Sequence, residues 1–529
     1  MSTQTHIRSI CLIAFVLLHF GATVAPAQSL VSLSGYVLDP TQAVLQGVEV
    51  TAINNSTNWQ RTVVTNESGW YFFSQLLPGT YTLTAKRDGF NMKVVQVPLS
   101  VSDTVSMDLQ LEVGAVSTRV EVAASAESLK RVNAQLGNTF DRRTITDLPL
   151  QTGNTVRLFE LFPGVNLSQQ LGEFARNDGS QVNGARNDQQ TIEQDGININ
   201  QQEQGGALDT VLPVPTDSIQ EFAFQTAGFG GGPGRASGGQ IQLVTRSGSN
   251  SWHGSVYENY RTTGTSARNY FAVEPTPLIR HRPGVSVGGP IVQNKLFFFG
   301  NYEYQSDRSG SLQTRTIPTP DFLNGVVRYR RADGSIGAVS DGPGSNLEQF
   351  TLVPGDRWNS GLIGPAGSFE KYRPFSTDTM RTSPSAQDNG VNILTYRFNA
   401  PFVRDRNVYV SRIDYNLNSN NTFYARGTLN DDVRTLAGET FPGFNNASER
   451  LDNSKGFAVN WNSAITSKLN SSLSVGLTRE AFENTGNQVA YYNPSIFSNL
   501  VQASAVSRQA IDTWQISENI GWQAGKHEA

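Results

Sequence analysis

The chain has 529 residues and combines 49 glycines and 23 prolines with 10% aromatic and only 16% charged residues. Such a composition is typical of many strands and turns, and the length predicts several domains. The net charge of -4 argues against nucleic acid as a partner, because nucleic-acid binding needs a concentrated basic surface.

The N-terminus, residues 1–27, has the pattern of a secretory signal peptide. A positive charge precedes the apolar run 10–20, and a small-residue cleavage site ends at Ala27, which would leave Gln28 as the first mature residue. The apolar run is shorter than the roughly 20 residues that a spanning helix needs; an uncleaved anchor or a buried helix is the alternative. The single cysteine, Cys11, lies in this segment, so the mature protein would have neither a disulfide nor a cysteine metal ligand.

Residues 28–113 are predicted to form one small β-sandwich. Residues Tyr81, Leu83 and Ala85 alternate with polar neighbours, which indicates one buried and one wet face. Val37, Val50, Phe72, Tyr81 and Leu83 are predicted to be buried. Short β-prone segments separated by turn signals give the predicted strands 31–38, 48–54, 60–65, 69–73, 79–87, 93–99 and 105–111.

The segments SGYVLDP, GVEVTA, TNESGWYFF and LLPGTYTLTAKRDGF in this region resemble the carboxypeptidase regulatory-like family. The resemblance implies a prealbumin-like, carbohydrate-binding-like fold. It implies no peptidase, because that domain is an accessory and the zinc-ligand clusters of the enzyme are absent. A sugar-binding role would follow from the fold name alone, and fold is poor evidence for function.

Residues 114–126 are predicted to be a linker that contains a short β-prone segment. This segment resembles the TonB box of TonB-dependent receptors, although the acidic lead residue of that motif is missing. Such a box must add as a strand to the sheet edge of a partner, so that backbone pairing gives affinity. The alternative is a last sandwich strand or a plain linker. The candidate box residues are Thr118, Arg119, Val120, Glu121, Val122, Ala123 and Ala124.

Residues 127–247 carry an ordered set of turns and strands that resembles the plug domain of TonB-dependent receptors. A helical turn at 144–149 and an amphipathic helix at 154–162 come first, and the helix is predicted to bury Val156, Leu158, Phe159, Leu161 and Phe162. Asn-Gly and Asp-Gly turns follow, and a glycine-rich loop then leads into an alternating strand at 240–246. The resemblance implies a mixed α/β plug. The matching residues are Val182, Asn183, Gly184, Arg186, Asp195, Gly196, Ile219, Phe222, Gly238, Gly239, Ile241, Leu243, Thr245 and Arg246.

Residues 248–529 contain strands that are apolar on one face and polar on the other. Ala425 and Leu429, for example, alternate with Tyr424, Arg426 and Thr428. A soluble sandwich would show the same period, so the alternation leaves both interpretations open. The segments NSWHGSVYENYR, RPGVSVGGPIVQNKLFFFGNYEYQ and VSRIDYNLNSNNTFYARG resemble Oar-like TonB-dependent receptors. The resemblance implies an antiparallel transmembrane β-barrel with a polar lumen.

The predicted fold is therefore mainly β, with a sandwich, an α/β plug and the first part of a barrel. Barrels of this family have about 22 strands, which needs more chain than residues 251–529 provide. The stretch 306–407 is predicted to be one long external loop. We expect the chain to be a fragment of a receptor, and a nonfunctional remnant is the weaker possibility.

The inventory of reactive residues argues against an enzyme. His253, His281 and His527 are the histidines left after cleavage, and they lack zinc-hydrolase spacing. No catalytic residue, metal or cofactor is predicted. The resemblance implies a receptor in the bacterial outer membrane, in contact with its lipid, with the sandwich in the periplasm and a TonB-type energy-coupling protein as partner. Its ligand would be an oligosaccharide, a peptide or a metal chelate. The alternative is a secreted or surface-attached carbohydrate-binding or adhesion protein without transport.

Overall fold

The structure is a computed structural model of the chain. It describes residues 31–101, 104–114, 119–123, 130–131, 136–148, 155–166, 181–185, 189–201, 210–227, 238–268, 275–324, 326–330, 335–340, 348–349, 371–387, 389–436, 441–444, 448–466, 468–486, 497–498, 500, 506–524 and 527–528. Among these residues, no helix is both long enough and apolar enough to cross a bilayer.

The N-terminal domain is a sandwich of two sheets. One sheet has the order β10-β7-β1-β4, with β8 also paired to β1, and the other has the order β3-β2-β5-β6-β9. Their strands are β1 (Val31–Leu38), β2 (Glu49–Asn54), β3 (Gln60–Val64), β4 (Trp70–Leu76), β5 (Gly79–Lys86), β6 (Met92–Leu99), β7 (Thr104–Ser106), β8 (Leu109–Gln110), β9 (Arg119–Ala123) and β10 (Lys130–Arg131).

The strand positions follow the predicted segments closely, and the predicted faces are confirmed with one exception. Tyr81 and Leu83 are buried in the core between the sheets, together with Val37 and Val50. The prediction for Phe72 is wrong: it is only half-buried and lies on the outer face of β4. Tyr71 and Phe73 fill the core instead, since neighbouring side chains of a strand point to opposite faces.

The segment predicted as a linker contributes a strand to this domain. Strand β9 pairs in parallel with β6, from Met92 opposite Arg119 to Gln96 opposite Ala123. Strand β10 pairs with β7 of the other sheet. The sheets therefore extend beyond residue 113, because an alternating β-prone segment can satisfy its backbone groups at an open sheet edge.

The plug follows as a mixed sheet with short helices. Its main sheet has the order β11-β16-β17-β14-β15, and β12 pairs with β13. Val182 and Ile241 lie in one apolar cluster, as predicted for a single plug domain. The elements are β11 (Leu136–Asp141), α1 (Arg142–Asp147), a 3-10 helix (Thr155–Leu161), β12 (Val165–Asn166), β13 (Gln181–Val182), β14 (Gln190–Gln194), β15 (Ile197–Asn198), a 3-10 turn (Thr216–Ser218), β16 (Ile219–Ala227) and β17 (Gly239–Thr245).

The amphipathic helix predicted at 154–162 is a 3-10 helix, and it buries only part of the predicted apolar face. Val156, Leu158 and Phe159 enter the plug core. Leu161, which was predicted to be buried, is 58% exposed. Leu161 is the last residue of this helix and directly precedes the turn at 162–164.

The described barrel strands form one antiparallel sheet of 13 strands, with the main path β18-β21-β22-β27-β28-β29-β31-β32-β33. A 3-10 turn lies at Thr263–Thr265. The strands are β18 (His253–Glu258), β19 (Arg261–Thr262), β20 (Leu278–His281), β21 (Pro283–Val292), β22 (Leu296–Pro318), β26 (Thr382–Pro384), β27 (Ile393–Asn416), β28 (Asn421–Thr435), β29 (Glu449–Asp452), β30 (Lys455–Ala464), β31 (Leu469–Asn484), β32 (Ser507–Ala524) and β33 (His527–Glu528).

The two faces of this sheet differ as predicted. On β28, Tyr424, Arg426 and Thr428 are buried on the inner face, whereas Leu429 is 55% exposed on the outer face. Trp461 is also exposed on the outer face, where it stacks on Phe423. The inner face packs around the plug, and the outer face has the apolar character that lipid requires.

The prediction of one external loop over 306–407 is wrong. Strands β22 and β27 pair without interruption from Leu296 opposite Tyr415 to Pro318 opposite Ile393. The connection between the two strands is therefore limited to residues 319–392, because both strands stay paired up to Pro318 and Ile393. It contains α2 (Pro320–Leu323), β23 (Val326–Arg330), β24 (Ile336–Ser340), β25 (Glu348–Gln349) and α3 (Arg373–Ser376).

An aromatic core joins the connections at this end of the sheet. Phe322 and Phe375 from the connection between β22 and β27 lie in one cluster with Phe441 and Phe497 from two later connections. Phe375 and Phe441 are 4.9 Å apart between ring centroids. Long connections that share a core form a folded layer above the sheet, not independent loops.

Candidate functional site

The Asp-Gly turn of the plug is the centre of the contact between plug and barrel. Asp195 and Gly196 join β14 to β15 and both have positive φ values, of 53° and 79°. Two successive left-handed residues make the hairpin turn that Asp-Gly sequences favour. The Asp195 amide donates to the carbonyl oxygen of Leu243 at 2.9 Å, so the turn is held against β17.

The Asp195 carboxylate lies between the plug and two arginines of the barrel wall. It accepts hydrogen bonds from the amide and the hydroxyl of Thr245, at 2.9 and 2.6 Å. Arg412 Nη1 approaches Oδ1 at 3.2 Å, and Arg426 Nε approaches Oδ2 at 3.1 Å. Asp195 is only 2% exposed. This buried carboxylate therefore bridges two cations.

The two arginines stand directly opposite each other on β27 and β28. Like charges in opposite positions destabilise a sheet, and here Asp195 and Asp414 neutralise them. Asp414 binds Arg412 through contacts of 2.8 to 3.1 Å. Tyr424 donates its hydroxyl to the backbone oxygen of Asp195 at 3.1 Å. The plug thus supplies a charge that the barrel wall needs.

Strand β15 extends the contact between plug and barrel to the later strands β31 and β32. Gln515 donates to the carbonyl oxygen of Gly196 at 3.0 Å and accepts from the Asn198 amide at 2.9 Å. A Cβ atom at Gly476 would lie 2.5 Å from Ile197, so only glycine permits this close approach. Together with Arg412 and Arg426, these contacts place the tip of the plug against four barrel strands, β27, β28, β31 and β32.

A second buried ion pair lies where the end of the plug meets the first barrel strands. Arg246 is 2% exposed and its Nη1 lies 3.1 Å from the Asp217 carboxylate and 3.1 Å from the Ser286 hydroxyl. Asp217 also accepts from Ser255 at 2.6 Å and pairs with Arg142 of α1 at 3.3 Å. The predicted motif residues Thr245 and Arg246 therefore both contact groups that fix the plug in the lumen.

The contacts between plug and barrel are mostly hydrogen bonds and ion pairs, while the apolar core of the plug lies within the plug itself. Water can replace polar contacts without exposing apolar surface, which is why transient interfaces are more polar than permanent ones. The arrangement can therefore hold the plug firmly and still allow it to move.

The sandwich contacts the short turns at one end of the barrel. Trp59 donates to the carbonyl oxygen of Asn418 at 3.1 Å, and Asn58 donates to Asn294 at 2.9 Å. A cavity of about 230 Å³ remains between the domains, lined by Tyr81 of the sandwich and by Arg412 beside the Asp195 turn. The sandwich therefore lies directly below the contact between plug and barrel.

The remaining residues of the predicted plug motif are structural. Val182 is buried, and Asn183 and Gly184 form a second left-handed turn. Gly239 begins β17 and Gly238 directly precedes it, where a Cβ atom on Gly238 would lie 2.7 Å from the Ala185 side chain. The structure does not bring these residues to the barrel wall. Arg186 lies outside the described residues, as do the cleavage residues Ala27 and Gln28.

The predicted TonB box coincides with strand β9. Residues 119–123 are the last strand of their sheet, and Thr118 and Ala124 lie outside the described residues. The box remains a prediction, since a strand at a sheet edge is compatible with either role that the sequence allowed.

The sequence did not identify the barrel partners of Asp195. Arg412, Asp414 and Arg426 occupy inner positions of β27 and β28, where charged side chains at alternate positions were a usable signal. In the described part of the chain, no group of three or more His, Cys, Asp or Glu side chains could hold a metal ion.

Comparisons with known families agree with this architecture. Residues 244–529 match the family model of the outer membrane beta barrel domain, and residues 32–112 match the carboxypeptidase regulatory-like domain. The TonB-dependent transporter Oar of Myxococcus xanthus is 28% identical over 307 residues, which cover 55% of this chain and 28% of Oar. The chain thus spans under a third of the length of this relative.

Two solved structures are similar to part of the chain. A ferric enterobactin receptor from Pseudomonas aeruginosa has 11% identity and a TM-score of 0.42, covering 73% of this chain and 46% of the receptor. The outer membrane transporter YddB from Escherichia coli has 12% identity and a TM-score of 0.43, covering 73% and 45%. The barrel family places the protein in the outer membrane. The chain belongs to the outer-membrane β-barrel family, as a homologue of the TonB-dependent transporter Oar with an N-terminal carboxypeptidase regulatory-like domain.

Proposed function

We propose that this chain is the N-terminal part of a TonB-dependent transporter that takes up a ligand through its plugged barrel. The observation that carries the proposal is the buried contact of Asp195 with Arg412 and Arg426, which closes the lumen with a separately folded plug. Uptake then requires that the plug move, because the ligand must pass the position that the plug occupies.

The force for this movement would come from an energised inner-membrane partner of the TonB type. Strand β9 is the terminal strand of its sheet, next to β6. A terminal strand has one backbone edge available for an added strand, which is how an extended segment of a partner is bound. We propose residues 118–124 as this coupling segment, in the periplasm and close to the sandwich that lies under the plug.

A proline substitution tests the coupling segment. Val122→Pro removes an amide donor and fixes φ, so we expect it to weaken binding of the periplasmic domain of a TonB-type protein by about tenfold or more. Val122→Ala keeps the amide and is the matched control. Binding to the full chain in detergent can be measured by calorimetry, and limited proteolysis shows whether the sandwich stays folded. Equal affinity for both variants would place the coupling segment elsewhere.

Membrane fractionation separates transport from the alternative of a secreted or surface-attached binding protein. A receptor with a lipid-facing sheet should remain in the outer-membrane fraction after high-salt and carbonate washes, because its outer face is apolar. Release by either wash would favour the binding protein, and the transport proposal would then fail.

A further inference from the structure

A row of three arginines crosses neighbouring strands of the barrel wall. Arg404 on β27 stands directly opposite Arg434 on β28, and Arg434 stands directly opposite Arg450 on β29. Side chains in opposite positions have Cβ atoms about 5 Å apart. The row therefore brings three guanidinium groups together.

The row lies on the inner face, further from the sandwich than the plug contact. Arg434 is an even number of residues from the buried Asp432 and Arg426 on β28, so its side chain is on the same, inner face. Arg450 is 8% exposed. The row is about 26 Å further along the strands than Arg412 and Arg426, at about 3.3 Å per residue. It thus borders the outer part of the lumen, where a ligand from outside would arrive.

The carboxylates near the row are bound to groups other than the side chains of Arg434 and Arg450. Asp432 holds Arg404 through two contacts, at 2.7 and 2.6 Å. Asp452 accepts hydrogen bonds from Ser454 and Asn430.

Arg406 lies two residues from Arg404 on β27, on the side of the plug contact. Its neighbour Glu303 binds Arg282 at 2.8 Å and is 3.9 Å from Arg406. The Nε atom of Arg406 is buried without a partner. Arginine charge therefore exceeds carboxylate charge in this part of the lumen.

Arg434 and Arg450 lack the anion that such a pair needs. Arg450 packs its guanidinium 3.6 Å from the centre of the Phe482 ring, and its Nε atom is buried without a partner. Arg434 is paired with both neighbouring strands through its backbone, but within the described residues its side chain has neither a hydrogen bond nor an ion pair. Opposed like charges and buried unpaired guanidinium groups both destabilise a fold.

The same protein shows how such a pair is neutralised. Arg412 and Arg426 are also directly opposed on β27 and β28, and there the Asp195 carboxylate lies between them. Arg434 and Arg450 repeat this arrangement one strand further on, and within the described residues no carboxylate forms an ion pair with either of them. The geometry calls for an anionic group supplied from outside the wall.

We propose that Arg434 and Arg450, with Arg404 and Arg406 beside them, form a binding site for a carboxylate or phosphate group of the ligand. The planar guanidinium fork binds both groups in a bidentate manner. The inference rests on the proposed uptake function and narrows its ligand to a multiply charged anion. An acidic peptide or an anionic chelate fits this site, and an uncharged oligosaccharide does not.

Calorimetry with two defined anions, pyrophosphate and citrate, tests the site in the full chain at low ionic strength. We expect at least one of them to bind, and we expect Arg434→Gln and Arg450→Gln each to weaken that binding by about ten- to hundredfold, the effect of losing a charge-assisted hydrogen bond. Binding of pyrophosphate alone assigns the site to phosphate groups, and binding of citrate alone assigns it to carboxylates.

Arg308→Gln is the matched control, because Arg308 neighbours this level on the outer face and pairs there with Asp405. It should leave the affinity unchanged. Failure of both anions to bind, or equal binding by the Arg434→Gln/Arg450→Gln double variant, would overturn the proposal.

Thermal unfolding gives a second measurement that does not depend on the variants having equal folding yield. Without an anion, Arg434→Gln should raise the unfolding temperature, since it removes one of the opposed charges. Pyrophosphate or citrate should stabilise the unaltered chain and not the variant. Destabilisation by Arg434→Gln in the absence of anion would show that the charge has a structural role and would refute the site. Neither measurement requires an energised partner, so anion binding without TonB-dependent uptake would refute the transport proposal alone.

Discussion

Replacement of Asp195 by alanine should loosen the plug without unfolding it. The change removes two hydrogen bonds from Thr245 and the contacts of the carboxylate with Arg412 and Arg426. Removing one partner of a buried ion pair costs about 3–5 kcal/mol. Arg412 keeps Asp414, so the loss is concentrated on Arg426 and we expect about 3 kcal/mol.

Hydrogen exchange at the Thr245 amide measures this loss directly, because that amide donates to Asp195. A cost of about 3 kcal/mol lowers protection roughly a hundredfold. Asp195→Asn keeps an acceptor but not the charge, so it should show an intermediate loss. Asp512→Asn is the control: Asp512 is 45% exposed and 3.6 Å from Arg479, and exposed pairs contribute less than about 1 kcal/mol. If Asp195→Ala lowers protection no more than this control, the carboxylate does not hold the plug.

Two further predictions concern the sandwich and the plug sheet. Tyr81→Ala should destabilise the sandwich by about 3–5 kcal/mol. Phe72→Ala should cost less than half as much, because Tyr81 is 1% exposed and Phe72 is only half-buried. Hydrogen exchange of the β5 amides in the full chain measures both losses of stability, and equal losses would contradict the assignment of Tyr81 to the buried face and Phe72 to the outer face. Burial raises the pKa of Glu193 to about 7 from an ordinary 4.5, against an opposing hydrogen bond from Gln240. The folded state thus keeps a proton that the unfolded state releases, so stability is fully present below about pH 4.5 and falls as the pH rises to about 7. Glu193→Gln should remove this loss of stability. If the hydrogen-exchange protection of the plug in the unaltered chain does not depend on pH, the raised pKa of Glu193 is contradicted.

Local patterns in the sequence were sufficient for much of the secondary structure. The strands of the sandwich, the Asp-Gly turn at Asp195 and the strand that ends at Thr245 all follow from alternation and turn chemistry, which act between close neighbours. The errors have local causes as well. Phe72 was assigned to the wrong face of a strand with four successive aromatic residues, and Leu161 was assigned to the buried face although it is the last residue of its helix.

The charged contacts were beyond this kind of inference. Asp195 and Arg412 are separated by 217 positions in the chain, and Asp195 and Arg426 by 231. Nothing in the neighbourhood of either residue shows which of many carboxylates will reach which arginine. The row of Arg404, Arg434 and Arg450 is equally invisible in the sequence, since it exists only through the pairing register of three strands.

The sequence by itself determined where strands and turns form, because the period of two and the Asn-Gly and Asp-Gly dihedral preferences are properties of adjacent residues. It left open whether an apolar face meets lipid or another sheet, since both give the same alternation. Only the tertiary structure decided that Arg426 meets a plug carboxylate while Arg434 stands between two other arginines. The reason is physical: the energy of a charge depends on which groups surround it in space, and strand register, not chain distance, sets those surroundings.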